Sequence, residues 1–252
     1  MSDDAAALTA EANLLVSISI WAAACEHGGL EHGEGWTLAW SREPLRSFNN
    51  LIVTSDDADL ISGLATARKH APEGKFRLRL REGLACIDDA SAPSFGLRHA
   101  GGIPSLVLGD LTRPETIPGT VREADSPASL SDHVSIVARA FEWDPAVLAR
   151  VFTPALLQDS RWRGYVAYVD GQPAASSQFV IGPDGAAGIY YVGTVPEFRH
   201  KGLGRAITAR GVADARAAGC QQVSLQASPM GLPIYTGMGF RHVAYYRQFL
   251  PA

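Results

Sequence analysis

Residues 188–205 read GIYYVGTVPEFRHKGLGR: an apolar, strand-like run passes through a basic loop with two glycines and leads into AITARGVADARAA, which has helical spacing. A strand delivered through a short loop into a helix places the chain in the α/β class, with the helix packed back on a sheet. Such a turn presents free backbone N–H groups and the positive end of a helix dipole, which together make an anion site. Gly202 and Gly204 let backbone approach a ligand without an intervening Cβ, and Arg199, Lys201 and Arg205 bring positive charge suited to a diphosphate. The plainer alternative is an ordinary strand-to-helix turn with solvated basic residues. Neither G-x-G-x-x-G nor G-x-x-x-x-G-K-[ST] is present, so two common nucleotide-binding readings fail.

The rest of the chain says where such a loop could act. Its 252 residues are 46% hydrophobic and 19% charged, which is globular composition and enough for one large or two small domains. Net charge is −4, so no global field draws the chain to nucleic acid or an anionic membrane. The three cysteines, Cys25, Cys86 and Cys220, lack C-x-x-C spacing, which suggests reduced thiols in the cytoplasm. The acidic start, MSDDAAALTAEANLL, is unlike a signal peptide, and no window reads as a membrane span. The seven histidines show no metal-binding spacing, so no metal is expected.

Along the first half, LTAEANLLVSISIWAAACEHG predicts a helix ending near Gly28 and Gly29, and GWTLAW and SFNNLIVT predict strands. SDDADLISGLATARKHA predicts an Asp-capped amphipathic helix. KFRLRLRE alternates apolar and basic residues as a half-exposed strand does, GLRHAGG reads as loop, and IPSLVLGDL as a strand. The segment DLTRPETIP, with two prolines, is the linker candidate, and the boundary falls near Glu115. The second half then predicts a strand at GTVREA, two helices, the second starting at Asp144–Pro145, and three strands joined by the turns DGQP and GPDG. A helix over 202–218, the strand QQVSLQA, a short helix at GLPIYTGM and a last strand FRHVAYYRQFL complete it.

VGTVPEFRHKGLGRAIT resembles the acyl-CoA-binding motif R/Q-x-x-G-x-G/A of the GNAT superfamily of N-acetyltransferases, through Arg199, Gly202 and Gly204. LQASPMGLPIYTGMGF is similar to the family's next motif, with Tyr235 ahead of Gly239 and Phe240, except that Ser228 stands where an Asn is usual and has a shorter reach. The resemblance covers about residues 116–252. More weakly, GWTLAWSREPLRSFNNLIV with its following helix and FRLRLREG looks like the degenerate first domain of tandem GNAT proteins.

The resemblance implies two GNAT-like domains, each a mixed, mostly antiparallel twisted sheet flanked by helices: residues 1–115 without a pyrophosphate loop, and residues 116–252 binding acetyl-CoA. It implies direct acetyl transfer to an unidentified primary amine, with no nucleic acid, membrane or metal involved. Residues 199–205, including His200 and Leu203, would hold the cosubstrate with Ser228. Unpaired backbone of Gly193, Thr194 and Val195 would bond the pantetheine arm, and Tyr235 would protonate the leaving thiolate. Glu142 is the candidate base or amine anchor, and Tyr190 and Tyr191 line the acceptor pocket, with alternation sending one to each face. The first domain would be scaffold, homodimer surface or pocket wall. The rival function is a non-catalytic acyl-CoA-binding or sensing protein with a decayed acceptor site.

Overall fold

The computed structural model describes residues 2–112 and 121–252; the boundary expected near Glu115 lies outside them. Helix α1 (Asp3–Ala24) is followed by β1 (Gly29–Gly33), β2 (Trp36–Trp40), β3 (Asn49–Val53), α2 (Leu60–His70), β4 (Arg77–Arg81) and β5 (Leu97–Leu108). After the undescribed stretch come β6 (Val121–Glu123), α3 (Pro127–Phe141), α4 (Pro145–Val151), β7 (Trp162–Val169), β8 (Gln172–Ile181), β9 (Ala186–Thr194), α5 (Leu203–Ala217), β10 (Gln222–Gln226), α6 (Leu232–Gly237) and β11 (Arg241–Pro251).

Among the described residues, one sheet of eleven strands runs through both halves in the order β1-β2-β3-β4-β11-β5-β10-β9-β8-β7-β6. Each half contains a strand–helix–parallel strand unit, β3-α2-β4 and β9-α5-β10, as a helical crossover requires. Neither half keeps its own last strand. β5 lies between β10 and β11, and β11 lies between β4 and β5, so the halves exchange strands at the centre. β5 begins at Leu97, so GLRHAGG is mostly strand rather than loop: Leu97, Arg98 and His99 find partners in Pro251, Leu250 and Phe249 of the remote last strand.

Two apolar clusters cover one face of the sheet: α2 closes the first-half core of Leu38, Leu51, Leu78 and Leu80, and α5 closes a second-half core with Phe179, Ile207 and Val223. The opposite face carries a cluster drawn from both halves, in which Leu14, Ile18 and Trp21 of α1 meet Phe48, Ile52, Val137, Phe152 and Tyr190. Helix α1 ends at Ala24, earlier than Gly28, where the Cys25 amide closes the last turn on the Trp21 carbonyl. Contrary to expectation, it is long and apolar enough to cross a membrane, with mean hydropathy 1.4 over its most apolar stretch. Here that surface lies against the sheet, with Glu11 and Asn13 buried among its apolar residues.

The β4 expectation is also corrected. Phe76, Leu78 and Leu80 do face the first-half core, but the alternate face is not in solvent: Arg79 is only 5% exposed. That face lies beneath α1, where Arg81 meets the buried Glu11 carboxylate at 3.8 Å.

Candidate active site

Parallel strands β9 and β10 pair only at Ala186–Gln222, Ala187–Val223 and Gly188–Ser224, after which β9 continues to Thr194 without β10 beside it. A Cβ on Gly188 would overlap Asn13 Oδ1 from α1, and Asn13 is held there by the Tyr190 hydroxyl, which donates to it at 2.5 Å. On its other side β9 stays paired with β8 through a bulge at Tyr191, whose φ is +51°. The bulge breaks strict alternation, so Tyr190 and Tyr191 both join the apolar cluster under α1 and both line one cavity, correcting the expectation of one on each face.

The Val195 amide donates to the Ala174 carbonyl at 3.0 Å and is therefore committed to the sheet, contrary to expectation. Ladder alternation then turns the peptide of Gly193 toward β8 and those of Val192 and Thr194 toward the side β10 has vacated. Gly193 has a packing role instead: a Cβ there would stand 2.7 Å from Ala140 Cβ in α3.

The loop after β9 ends at Gly202, the N-cap of α5, with φ +76° and no side-chain cap bond. Only open space surrounds its Cβ position, so glycine is required here by backbone conformation, and the first amides of a 15-residue helix are left to an outside acceptor. His200, also at positive φ, and Lys201 are exposed, with the Lys201 ammonium 4.9 Å from the Phe198 ring centre. Leu203 anchors the helix start in the core. Arg205 reaches the Gly237 carbonyl at 3.3 Å, and a Cβ on Gly204 would meet Ile234 of α6 at 3.6 Å. Arg199 is turned inward to the carbonyls of Thr194, at 3.3 Å, and Ala140, at 3.4 Å, so it braces the loop against β9 and α3. An uncapped helix N-terminus, a left-handed glycine and flanking cations fit a diphosphate.

At the other end of the gap is a cavity of about 230 Å³. Tyr235 and Ser228 line it from the α6 side, and Leu14, Ile18, Asn50 and Arg77 line it from the first half. Tyr235 is buried against Phe240, ring centres 6.0 Å apart, and burial pushes its hydroxyl up to about 12, so it stays protonated. The Ser228 hydroxyl accepts the Gly231 amide at 3.2 Å, forming the turn into α6. Phe141 and Trp143 line the cavity, whereas Glu142 between them, in left-handed conformation as the cap of α3, is exposed and outside it. Among the described residues no group of three or more His, Cys, Asp or Glu side chains could hold a metal.

Residues 130–240, from α3 to the residue before β11, match the family model "Acetyltransferase (GNAT) family". This stretch belongs to the GNAT family. Mycothiol acetyltransferase of Saccharopolyspora erythraea is 32% identical over 123 residues, covering 46% of this chain and 41% of that protein, so the chain spans less than half the length of this relative. The fold extends beyond the matched stretch. A GCN5-related N-acetyltransferase from Kribbella flavida aligns over 95% of both chains with TM-score 0.66 and 20% identity. A tandem GNAT protein from the clavulanic acid biosynthesis pathway aligns over 89% of this chain and 83% of its own, with TM-score 0.54 and 13% identity. The mixed sheet with flanking helices is therefore the GNAT fold, and acyl transfer from acetyl-CoA is the chemistry of that family.

The sequence reading missed Asn50, Arg77 and Arg79 as cavity residues. The signal was divided: strict alternation in KFRLRLRE located the arginines on one face, but what covers that face comes from α1, some seventy residues earlier.

Proposed function

We propose that this chain is an acetyl-CoA-dependent N-acetyltransferase that moves the acetyl group by direct transfer to a primary amine. Its residues 116–252 form the catalytic unit, and residues 1–115 form a GNAT-like unit that walls the acceptor side. The observation that carries this reading is the parting of β9 from β10 after Gly188, with the open N-terminus of α5 at one end of the gap and Tyr235 at the other. With Cys25, Cys86 and Cys220 all free, the reading places the enzyme in the reducing cytoplasm.

Acetyl-CoA, when bound, supplies the thioester carbonyl that the amine attacks and the thiolate that leaves. The α5 amides, with Lys201 and Arg205 beside them, bind the diphosphate. The outward peptides of Val192 and Thr194 hold the extended arm as a neighbouring strand would, and an N–H there favours the oxyanion. Tyr235, protonated at every working pH, donates a hydrogen bond toward the departing sulfur. A thiol near ~8.5 is a stronger acid than this phenol, so the net proton reaching sulfur originates on the attacking nitrogen and Tyr235 relays or supports it. Glu142, exposed outside the cavity, has no part in this reading, and water or a solution base deprotonates the amine.

The test combines melting with acetyl-CoA, an adenine nucleotide control, and release of free thiol across a panel of amines. A melting shift given by acetyl-CoA and not by the nucleotide, with amine-dependent thiol release, is expected. A shift without thiol release for any amine would favour the sensing protein, and no shift would remove the reading.

A further inference from the structure

The face of β4 under α1 carries three arginines in register, and they are not treated alike. Arg81 has the Glu11 carboxylate, which also accepts from the Tyr246 hydroxyl at 3.3 Å. Among the described residues the Arg77 side chain has only a neutral partner, donating from Nε to Asn50 Oδ1 at 2.7 Å, and Asn50 is itself held by the Ser47 carbonyl. Arg79 is 5% exposed, its side chain makes no hydrogen bond or ion pair among the described residues, and its Nε is buried without a partner. Both Arg77 and Arg79 line the cavity at the β9–β10 gap. Gln226 lines it from β10, and its Nε2 is likewise buried and unpaired. The surrounding groups are phenols, those of Tyr190, Tyr191 and Tyr246, and all are neutral at neutral pH.

A buried guanidinium without a counter-charge is one of the most costly arrangements a fold can keep, and burial lowers the pKa of both arginines from their ordinary value, that of Arg77 to about 9. Three donor-bearing side chains line one small space that no carboxylate lines, and together they call for an anionic acceptor of hydrogen bonds. A guanidinium suits a planar carboxylate, which it can grip through two parallel bonds.

We propose that Arg77 and Arg79 receive a carboxylate of the molecule that enters this cavity, so that the acceptor is a compact amino carboxylate rather than a polyamine or a simple alkylamine. The cavity is smaller than the ~300–1,000 Å³ of sites for drug-sized ligands, consistent with a molecule the size of an amino acid. This inference rests on the acetyltransferase reading for the identity of the bound molecule as an acceptor. A dicarboxylic acyl chain on the thioester would present the same group, and the experiment separates the two sources.

Binding is read by melting shift and transfer by thiol release. The probes are the L-amino acids, β-alanine and 4-aminobutyrate, each beside its carboxamide, together with spermidine and butylamine; donors are acetyl-CoA and succinyl-CoA. At least one amino carboxylate is expected to stabilise the protein and accept acetyl, with its carboxamide weaker by about 30-fold or more, the scale of losing one buried charge partner. Arg79→Gln and Arg79→Met should abolish that preference while the shift given by acetyl-CoA persists. Arg79→Met should also melt higher than the parent without ligand, because it removes an uncompensated buried charge. A merely structural arginine would give the opposite change, and a lower melting point in Arg79→Met overturns the proposal. Equal response to carboxylates and carboxamides, preference for spermidine, or no response to any probe overturns it as well. Preference for succinyl-CoA that depends on Arg79, without acceptor discrimination, moves the carboxylate to the donor. Loss of the acetyl-CoA shift in the parent protein would sink the acetyltransferase reading by itself, and carboxylate binding through Arg79 would still be decided by the paired probes.

Discussion

The two strand–helix–strand units of this chain share a topology and differ at every point where a ligand would touch them. In β3-α2-β4, Asp59 caps the helix with its own carboxylate, accepting the Ser62 amide at 3.0 Å, and the strands stay paired from Asn50–Arg77 to Val53–Leu80. In β9-α5-β10, a left-handed glycine leaves the helix end uncapped, and the strands part after three pairs. The first unit is closed twice, by a built-in anion at the helix and by a zipped ladder; the second is open at both places. What the first unit presents instead is the far face of β4, with Arg77 and Arg79 lining the shared cavity. On the proposed reading, one scaffold, used twice, is divided between holding the donor and selecting what meets it.

The strongest way to break this contrast is to close the open unit. Gly202→Glu puts a side chain at φ +76° and a carboxylate where a diphosphate is expected, so acetyl-CoA binding should be lost. Acetyl-CoA at about 100 times its dissociation constant stabilises by roughly 2.7 kcal/mol, and a chain of this size gains about 2–4 °C per kcal/mol. That shift should vanish in the variant, and calorimetry on the parent should count one acetyl-CoA per chain. Two per chain would mean the first unit is not closed.

The halves also differ in what they bury. The second half encloses His133, within reach of Gln178 at 3.2 Å, and burial lowers its pKa from 6.5 to about 4. The unfolded chain therefore binds more protons between those values, so stability is complete above pH 6.5 and falls as pH drops toward 4, by about 3 kcal/mol in all. His133→Gln should flatten urea-unfolding stability across that window, and an unchanged slope would show that the ring titrates freely in the fold. At the open unit, Tyr235→Phe should lower kcat by about 10- to 100-fold, toward the weak end of general-acid effects because a phenol near 12 is a weak acid. Binding of acetyl-CoA should barely change. Unimpaired turnover would reduce Tyr235 to a packing partner of Phe240.

Most of the second half could be read from its sequence because its signals are local: Asp144–Pro145 starts α4, and the glycine loop opens α5 where spacing places it. Legibility fails where a partner is remote. Leu97–His99 becomes strand only because β11 arrives from more than 140 residues away. The arginines of β4 look solvated until α1 is laid over them. Tyr190 and Tyr191 obey alternation in sequence and break it in space through a bulge whose positive φ no neighbouring residue announces. The side proposed for the donor is therefore written in consecutive residues. The side proposed for the acceptor exists only after the halves have joined.

The smallest predicted effect tests the closed unit from within. Asp59→Ala removes the α2 cap while leaving Leu60, Leu64 and Ala67 packed on the first-half core, so it should cost about 1 kcal/mol and lower the melting temperature by about 2–4 °C. Uncapping alone should not create a second site for acetyl-CoA, because β3 and β4 remain zipped and offer no open peptide edge beside the exposed amides. Calorimetry on Asp59→Ala should again find one acetyl-CoA per chain, bound as in the parent. A second binding event would show that the carboxylate cap alone separates the two units, and that the parting of β9 from β10 shapes the path of the acyl arm without deciding which unit binds.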